Sequence, residues 1–413
     1  MDRTSQPPFQ KSLTFTLPTP ERIPLAGSQE IVYLPSNLGE AVKIEFVFEA
    51  GRYYETMPGL AQFTVQMLDK GVPGKDANQI ASLLEYYGAH IELNAGFDFA
   101  SLSLYALRKN IKKLLPVLIT ILSKPEFPER ELTTLRKIFN ENLKVSLEKN
   151  AFIASNAIRK NLFGSHPYGR SIQLGDADKI EVDDIKFFYD KHIHASKIFV
   201  VGTIDDADLD FLSKNIEPSP DSGNLVNQEF DSLPPATEKL DGPNKVQASL
   251  KLGRRTISRL HPDIAGLLLT NHLLGGFFGS RLMKNIREEK GLTYGISSSI
   301  QHHLKASILI ISADVNSDNS DIALREIEKE LESISSVNDS ELEIVKNHLI
   351  GSIQNDITTV FAAGEKIKSS ILYNLPENFY QKLILDISKI ETPDLIPICS
   401  MYLNPKEFTT VVV

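Results

Sequence analysis

The chain is short of several things, and each shortage narrows what it does. It has one cysteine in 413 residues, Cys399, so an internal disulfide framework and a thiolate metal cluster are excluded. That residue reads as a small core side chain. Positive charge is not in excess: 53 acidic residues against 44 basic ones leave a formal charge of −9. Nucleic acid and anionic membrane need basic patches and are not expected partners. Long apolar runs are missing too. Leu114 to Leu122, LLPVLITIL, is the longest, far short of the roughly 20 residues a membrane helix requires. The start, MDRTSQPPFQKSLTF, has no apolar core of signal-peptide length. No membrane span is expected, and a cytoplasmic or periplasmic location follows.

What is present is an ordered alternation of strand and helix signals. From Ala41 to Glu49, Val42, Ile44, Phe46 and Phe48 alternate with Lys43, Glu45, Val47 and Glu49, the period of a strand with one covered face. A helix is predicted over Asp76 to Tyr87, stopping at Gly88. IELNAG and DFASLSLYAL read as two strands, and Ile111 to Leu122 as a further helix. Composition changes near Glu217, where a stretch rich in proline, serine, glycine and acids reads as an interdomain linker over 217–243. The first pattern then returns: an apolar helix from Asp263 to Leu274, a helix ending at Gly291, two strands within YGISSSIQHHLKASILIISADV, then helices. SELEIVKNHLIGSIQNDI echoes RELTTLRKIFNENLKVSL. The repeat predicts two similarly folded α+β domains, 1–216 and 244–413, joined by the linker.

Gly59 to Lys70, GLAQFTVQMLDK, reads as a buried helix with a polar stripe. Leu60, Ala61, Phe63, Val65, Met67 and Leu68 are apolar, while Gln62 and Gln66, four apart, project from one face. Burying two amides costs free energy unless each finds a partner. The stripe therefore either hydrogen-bonds within a core or faces a cavity, water or another polar group.

GLAQFTVQMLDKG resembles the motif segment of the insulinase and pitrilysin superfamily, the inverted zinc peptidases with H-x-x-E-H. There the histidines hold zinc and the glutamate is general base for the attacking water. The resemblance puts Gln62 and Gln66 at the histidine positions and Val65 at the glutamate position. An amide oxygen is a poor zinc donor, and valine can take no proton. The third ligand falls within Glu129 to Lys149, where Leu132, Leu135, Phe139 and Leu143 recur at helical spacing. It is placed at Asn142, or at Glu141 if the register slips by one. Neither gives a hydrolytic zinc site, so no catalytic residue and no zinc are expected in this chain.

LFGSHPYGRSI, FFYDKHI with the strand KIFVVGTI, and NIREEKGLTYGISSSI extend the resemblance over most of the chain. It implies half of a clamshell peptidase, two halves enclosing a chamber. It also implies that Arg287 and Tyr294 bind peptide across the chamber from zinc. A guanidinium offers fixed charged donors, and a phenol can donate to a carbonyl gaining negative charge. The alternative is an arginine paired with Glu288 or Glu289 and a core tyrosine. LLGGFFGS, Leu273 to Ser280, is not a phosphate loop, because it follows a helix and lacks the Gly-Lys-Ser/Thr ending. By resemblance to the family's non-catalytic mitochondrial processing subunit, Gly275 and Gly276 form a flexible turn lining the chamber. Phe277 and Phe278 either face peptide side chains or pack in the core. His192 with His194, His302 with His303, and His166 make no closed metal site and are expected at the surface or in local hydrogen bonds.

The function expected is a zinc-free subunit that binds peptide and completes the chamber of a heterodimer. Its homologous partner carries H-x-x-E-H and the zinc; in isolation a homodimer is open. The alternatives are a non-proteolytic scaffold, like the core subunits of the cytochrome bc1 complex that resemble this family, and a hydrolase using other residues.

Overall fold

The structure is a computed structural model and describes residues 14–27, 29–218, 228–231 and 233–413. The N-terminal segment to residue 13, and residues 219–227 and 232 of the expected linker, lie outside the described residues. No helix among the described residues is long and apolar enough to cross a membrane.

The first half folds around a six-stranded sheet of β1 (Glu21–Pro24), β2 (Glu30–Leu34), β3 (Ala41–Phe48), β6 (His90–Ala95), β7 (Ala100–Leu107) and β8 (Ala195–Val201). Its order is β1-β2-β8-β3-β7-β6, and β4 (Gly71–Val72) with β5 (Lys75–Asp76) form a separate small hairpin. Its helices are α1 (Leu60–Met67), α2 (Ala77–Tyr86), α3 (Ile111–Ser123), α4 (Glu129–Leu147), α5 (Asn150–Phe163), α6 (Val182–His192) and α7 (Asp206–Asn215). The second half has a five-stranded sheet, β11-β12-β10-β13-β9, made of β9 (Thr237–Lys239), β10 (Gln247–Thr256), β11 (Thr293–His302), β12 (Ser307–Asn316) and β13 (Thr409–Val412). Around it lie α8 (Ile264–Asn271), α9 (Ser320–Ser333), α10 (Asp339–Asn355), α11 (Val360–Leu372), α12 (Phe379–Lys389) and α13 (Thr392–Tyr402).

The two sheets repeat one plan. In each, an antiparallel hairpin at the edge (β6–β7, β11–β12) pairs with a long central strand (β3, β10). Next comes the last strand of the half (β8, β13), which pairs in parallel with an early one (β2, β9). The repeat expected from the sequence is therefore present as two mixed α/β halves. Strand β9 lies inside the stretch expected as linker.

Local chemistry accounts for the element ends. Asp76 accepts from Gln79 N while Gln79 accepts from Asp76 N, a reciprocal cap that starts α2. Gly88, at φ +60°, stops it in a backbone region other residues avoid. One strand departs from expectation. The Val42, Ile44, Phe46 and Phe48 face of β3 packs on α1, α3 and α6, but Lys43, Glu45 and Val47 on the other face are buried as well. α11, from the second half, lies across that face: Ile367 joins Val32, Leu34, Val47, Phe199 and Val201. Lys43 and Glu45 close a four-charge ring with Glu365 and Lys368 at 2.6–2.9 Å. The exchange is reciprocal. α5, from the first half, sets Ala154, Ile158 and Leu162 against Ile308, Ile310 and Val411 of the second sheet.

The halves also meet at their hairpin tips. Asp98, buried in the β6–β7 turn, accepts from the Tyr168 hydroxyl and from Leu304 N at 3.0 Å in the β11–β12 turn. Lys305 N donates to the same phenol oxygen at 3.3 Å. Burial raises the Asp98 carboxyl above its usual range, against those hydrogen bonds. A hydrogen bond to a buried charged group is worth roughly 1.5–3 kcal/mol. Tyr168→Phe should therefore lower the urea unfolding free energy by about that amount with unchanged circular dichroism, whereas a loss below about 0.5 kcal/mol would show the contact to be incidental.

Candidate functional site

The motif helix α1 is positioned from its N-terminus. Glu55, itself buried, accepts from Gly59 N at 3.1 Å and Ala61 N at 3.3 Å, satisfying two of the helix's free donors. Burial pushes its carboxyl up to about 7 in spite of these bonds. Gly59 sits at φ +93°, and a Cβ there would come within 2.6 Å of Ile172 Cδ1, so the helix start requires glycine. Leu60, Ala61, Phe63, Val65, Met67 and Leu68 are buried, as is Thr64, whose hydroxyl bonds back to Leu60 O at 2.8 Å. Gln62 and Gln66 are half-buried, so their stripe reaches solvent. The stripe runs on to Asp69, a carboxylate that only the helical turn brings into line; Lys70 Nζ lies 2.7 Å from it.

α4 packs beside α1 through Phe139, whose ring meets Phe63 edge-on at 5.2 Å. Leu132 and Leu143 are buried, as the spacing predicts. Asn142 is exposed, its carbonyl accepting from Ser146 Oγ, and Glu141 is exposed and bonded to Lys144 at 2.8 Å. Among the described residues no three His, Cys, Asp or Glu side chains gather where they could hold a metal ion. Two amides and a fully buried valine do not fit zinc, which takes imidazole, thiolate or carboxylate ligands.

The second half keeps polar chemistry at its surface. Arg287 lies with its guanidinium 4.6 Å from the centre of the Phe278 ring, a cation–π contact that orients its donors. Tyr294 is 96% exposed. The β11–β12 register shifts between Thr293 and Ile296, and Thr293 Oγ1 pins the irregularity by donating to Asp314 O at 2.6 Å. That bulge turns Tyr294 outward, so the core-tyrosine alternative does not hold. Gly275 and Gly276 end a widened helical turn, His272–Gly276. Gly275 is buried with its Cβ position 2.6 Å from Ser298 N, and that of Gly276 is 2.6 Å from His272 Nδ1. Close packing against β11 requires the glycine at 275, while Gly276 is exposed beside the His272 ring. The two phenylalanines divide: Phe278 is 62% exposed, while Phe277 stacks on His272 at 4.8 Å and meets the tilted ring of His348 at 4.4 Å.

His166 and His302 make local hydrogen bonds as expected, and the structure adds ring and long-range contacts. His166 is 2% exposed, stacked on Phe230 at 4.1 Å, with Nδ1 accepting from Tyr168 N. His303 lies at the hairpin tips, 3.0 Å from Arg159 Nη2 and 3.8 Å from Asp98. His302 contacts Ser307 Oγ at 2.8 Å, and His192 packs on Phe188 and Tyr54. His194 is also locally bonded, its Nε2 donating to Asp190 O at 2.7 Å. A further pair, His272 Nε2 and His348 Nδ1 at 2.8 Å, is too distant in sequence to leave a local signal. Ser165 donates to Asp231 at 3.1 Å, but the Nδ1 contact of His166 is to backbone, so these three form no catalytic relay.

Two mixed sheets repeating one plan, with the motif helix in the first and an Arg-Tyr segment in the second, define the insulinase type of architecture. Residues 31–174 match the family described as Insulinase (Peptidase family M16), and residues 179–349 match the Peptidase M16 inactive domain. The chain belongs to the peptidase M16 family. It is 24% identical over 371 residues to a protein of Helicobacter pylori called a non-peptidase homolog, covering 86% of this chain and 84% of that one. It is also 24% identical over 316 residues to an uncharacterized zinc protease of Bacillus subtilis, covering 73% and 76%. Among solved structures, a peptidase M16 inactive domain from Pseudomonas fluorescens superposes with a TM-score of 0.85 at 23% identity, covering 95% of this chain and 97% of that one. A protease from Helicobacter pylori gives 0.83 at 17% identity, covering 96% and 99%. These likenesses fix the fold.

The buried imidazoles set a pH dependence. Burial, the first cause in each case, holds His166, His192, His272 and His302 down to about 4 and His303 to about 3. The unfolded chain takes up these protons near pH 6.5 and the folded chain does not, so stability is lost as pH falls from about 6.5 toward 4. Glu55 and Asp98, raised by burial, act in the opposite sense but are fewer. Urea midpoints measured across this range should fall steadily with pH, and a flat profile would contradict the burial of the neutral rings.

Proposed function

We propose that this chain is a non-peptidase subunit that binds extended peptide and completes the chamber of a homologous, zinc-bearing partner. The observation that carries the proposal is the asymmetry between the halves. The motif helix has amides and a buried valine where ligands and base would stand, while Arg287 and Tyr294 are presented outward on the other sheet. The Helicobacter pylori relative called a non-peptidase homolog supports the first part of this reading.

A binding mode follows from the edges. β6, next to α1, and β11, next to the Arg287 segment, each end their sheet and, among the described residues, have a strand neighbour on one side only. A free edge can hydrogen-bond an extended chain, with side-chain contacts giving selectivity. Arg287, held over Phe278, and Tyr294 then supply donors for a peptide carbonyl, or for the oxyanion developing at a partner's metal. This chain's share of the chemistry is to bind and orient.

Two outcomes are expected. Elemental analysis of protein purified without chelator should find no stoichiometric zinc, and a fluorogenic peptide library should remain uncut. About one zinc per chain with chelator-sensitive cleavage would overturn the reading. When the chain is co-expressed with an H-x-x-E-H partner and the complex is confirmed by light scattering, Arg287→Ala and Tyr294→Phe should preserve assembly. Turnover should drop by about 100- to 1,000-fold, the usual effect of removing one oxyanion donor. Full activity in both variants, or a partner equally active alone, would establish the scaffold reading instead.

A further inference from the structure

Within the stretch expected as linker, residues 228–231 are fastened to both halves. Asp231 Oδ2 accepts from Ser165 N at 3.0 Å and Ser165 Oγ at 3.1 Å, just after α5 of the first half. The Asp231 carbonyl accepts from Arg255 Nη2 at 3.1 Å, on β10 of the second. Phe230 stacks on His166 at 4.1 Å, with the Arg255 guanidinium 5.4 Å from the centre of its ring. Gln228 N donates to the Tyr53 hydroxyl at 3.4 Å. Gly164, at φ +57°, makes room for this seating, since a Cβ there would collide with the Asp231 carboxylate.

The socket beneath is aromatic. Tyr53, Phe163 and Tyr168 surround His166, and Phe230 packs on the same cluster, where α5 meets the second sheet. Under Phe230 the imidazole is almost fully buried. Its Nδ1 accepts from Tyr168 N, so the neutral ring carries its proton on Nε2, and among the described residues that nitrogen is buried without an acceptor. A buried donor left unmet costs free energy, and uncovering the ring would let water meet it. The segment above is lightly held. Glu229 and Asp231 are exposed and Phe230 is only half-buried, and a stretch with few buried contacts and solvent-exposed hydrogen bonds opens locally at a fraction of the global unfolding free energy.

We propose that residues 228–231 form a strap that clips the two halves together and opens on its own, uncovering the His166 socket while both sheets stay folded. Arg255 is the clip on the second half, holding the Phe230 ring by its charge and the Asp231 carbonyl by a hydrogen bond. Ser165 is the clip on the first half. Opening separates these two and exposes an aromatic socket rimmed by the donors that Asp231 had occupied. The device is independent of the peptide-binding reading and uses none of its residues.

Two reactions on the full chain at neutral pH read the opening, both followed by mass spectrometry. A glutamate-specific protease cuts after Glu229, and diethyl pyrocarbonate modifies the His166 ring once it is uncovered. Each rate is normalised to a free peptide of the same local sequence and measured in urea kept well below the unfolding midpoint. Local opening exposes little surface, so both rates should stay level as urea rises through this range. Arg255→Ala leaves the residues around the cut unchanged, and it should speed both reactions by one common factor of at least about ten, as expected for losing a charged hydrogen bond and a cation–π contact. Rates that climb with urea as global unfolding does, unchanged rates in the variant, or faster cleavage without faster modification of His166 would overturn the proposal.

Discussion

Each sheet of this protein has two faces to cover, and each half leaves one to be covered by the other. That constraint organises the molecule. The outer face of the first sheet is closed by α11, and the corresponding face of the second by α5. α11 comes close enough because Gly364 has no side chain: a Cβ there would lie 2.8 Å from Val201 Cγ2. The charge ring of Lys43, Glu45, Glu365 and Lys368 lies in the same contact. Burial alone would lower the Lys43 ammonium, but its bonds to Glu365 and Glu45 prevail and keep it protonated. Desolvating these charges is costly, so the ring contributes little net attraction, while losing any one member leaves each neighbour with a single partner and the cluster with unbalanced charge. It selects the seating of α11 more than it strengthens it.

Within that frame the two sites have diverged. α1 has a complete scaffold, the Glu55 cap and the left-handed Gly59, and it carries Gln62, Val65 and Gln66, side chains that do not fit zinc. Fold and reaction are separable here: the capping and packing that build the helix use one set of residues, and metal binding would use another. In the second half, polar groups are carried outward by a bulge and an aromatic contact. Neither device stabilises the core, and both make sense as presentation of side chains to something outside the chain.

Much of this was legible in the residues because it is local. Strand alternation, the Asp76 cap, the Gly88 stop and the edge hairpins depend on near neighbours, and the repeat shows itself in the order of such signals. The side chains that α1 offers could be read because they lie on neighbouring turns of one helix. What was not legible is long-range. Lys43 and Glu45 read as a solvent face, since nothing near them announces Glu365 and Lys368. The histidines read as surface or locally hydrogen-bonded residues, and the burial of some was not legible because Phe230, Asp98 or Arg159 arrive from elsewhere. At Gly275 a side chain would meet the backbone of Ser298, a contact that nothing near it in the sequence announces.

The exchange of helices has a consequence in time. β8, the last strand of the first sheet, ends at Val201, and the helix that covers its outer face begins at Val360. On a ribosome adding about 5–20 residues per second, the first sheet waits on the order of 10 s or more with Val32, Val47 and Phe199 uncovered. During that interval the nascent chain displays an apolar surface of the kind that chaperones hold and that aggregates grow from. Completion of the N-terminal half is thus an event of late translation, and a message truncated before α11 would yield a first domain that has its strands but not its cover.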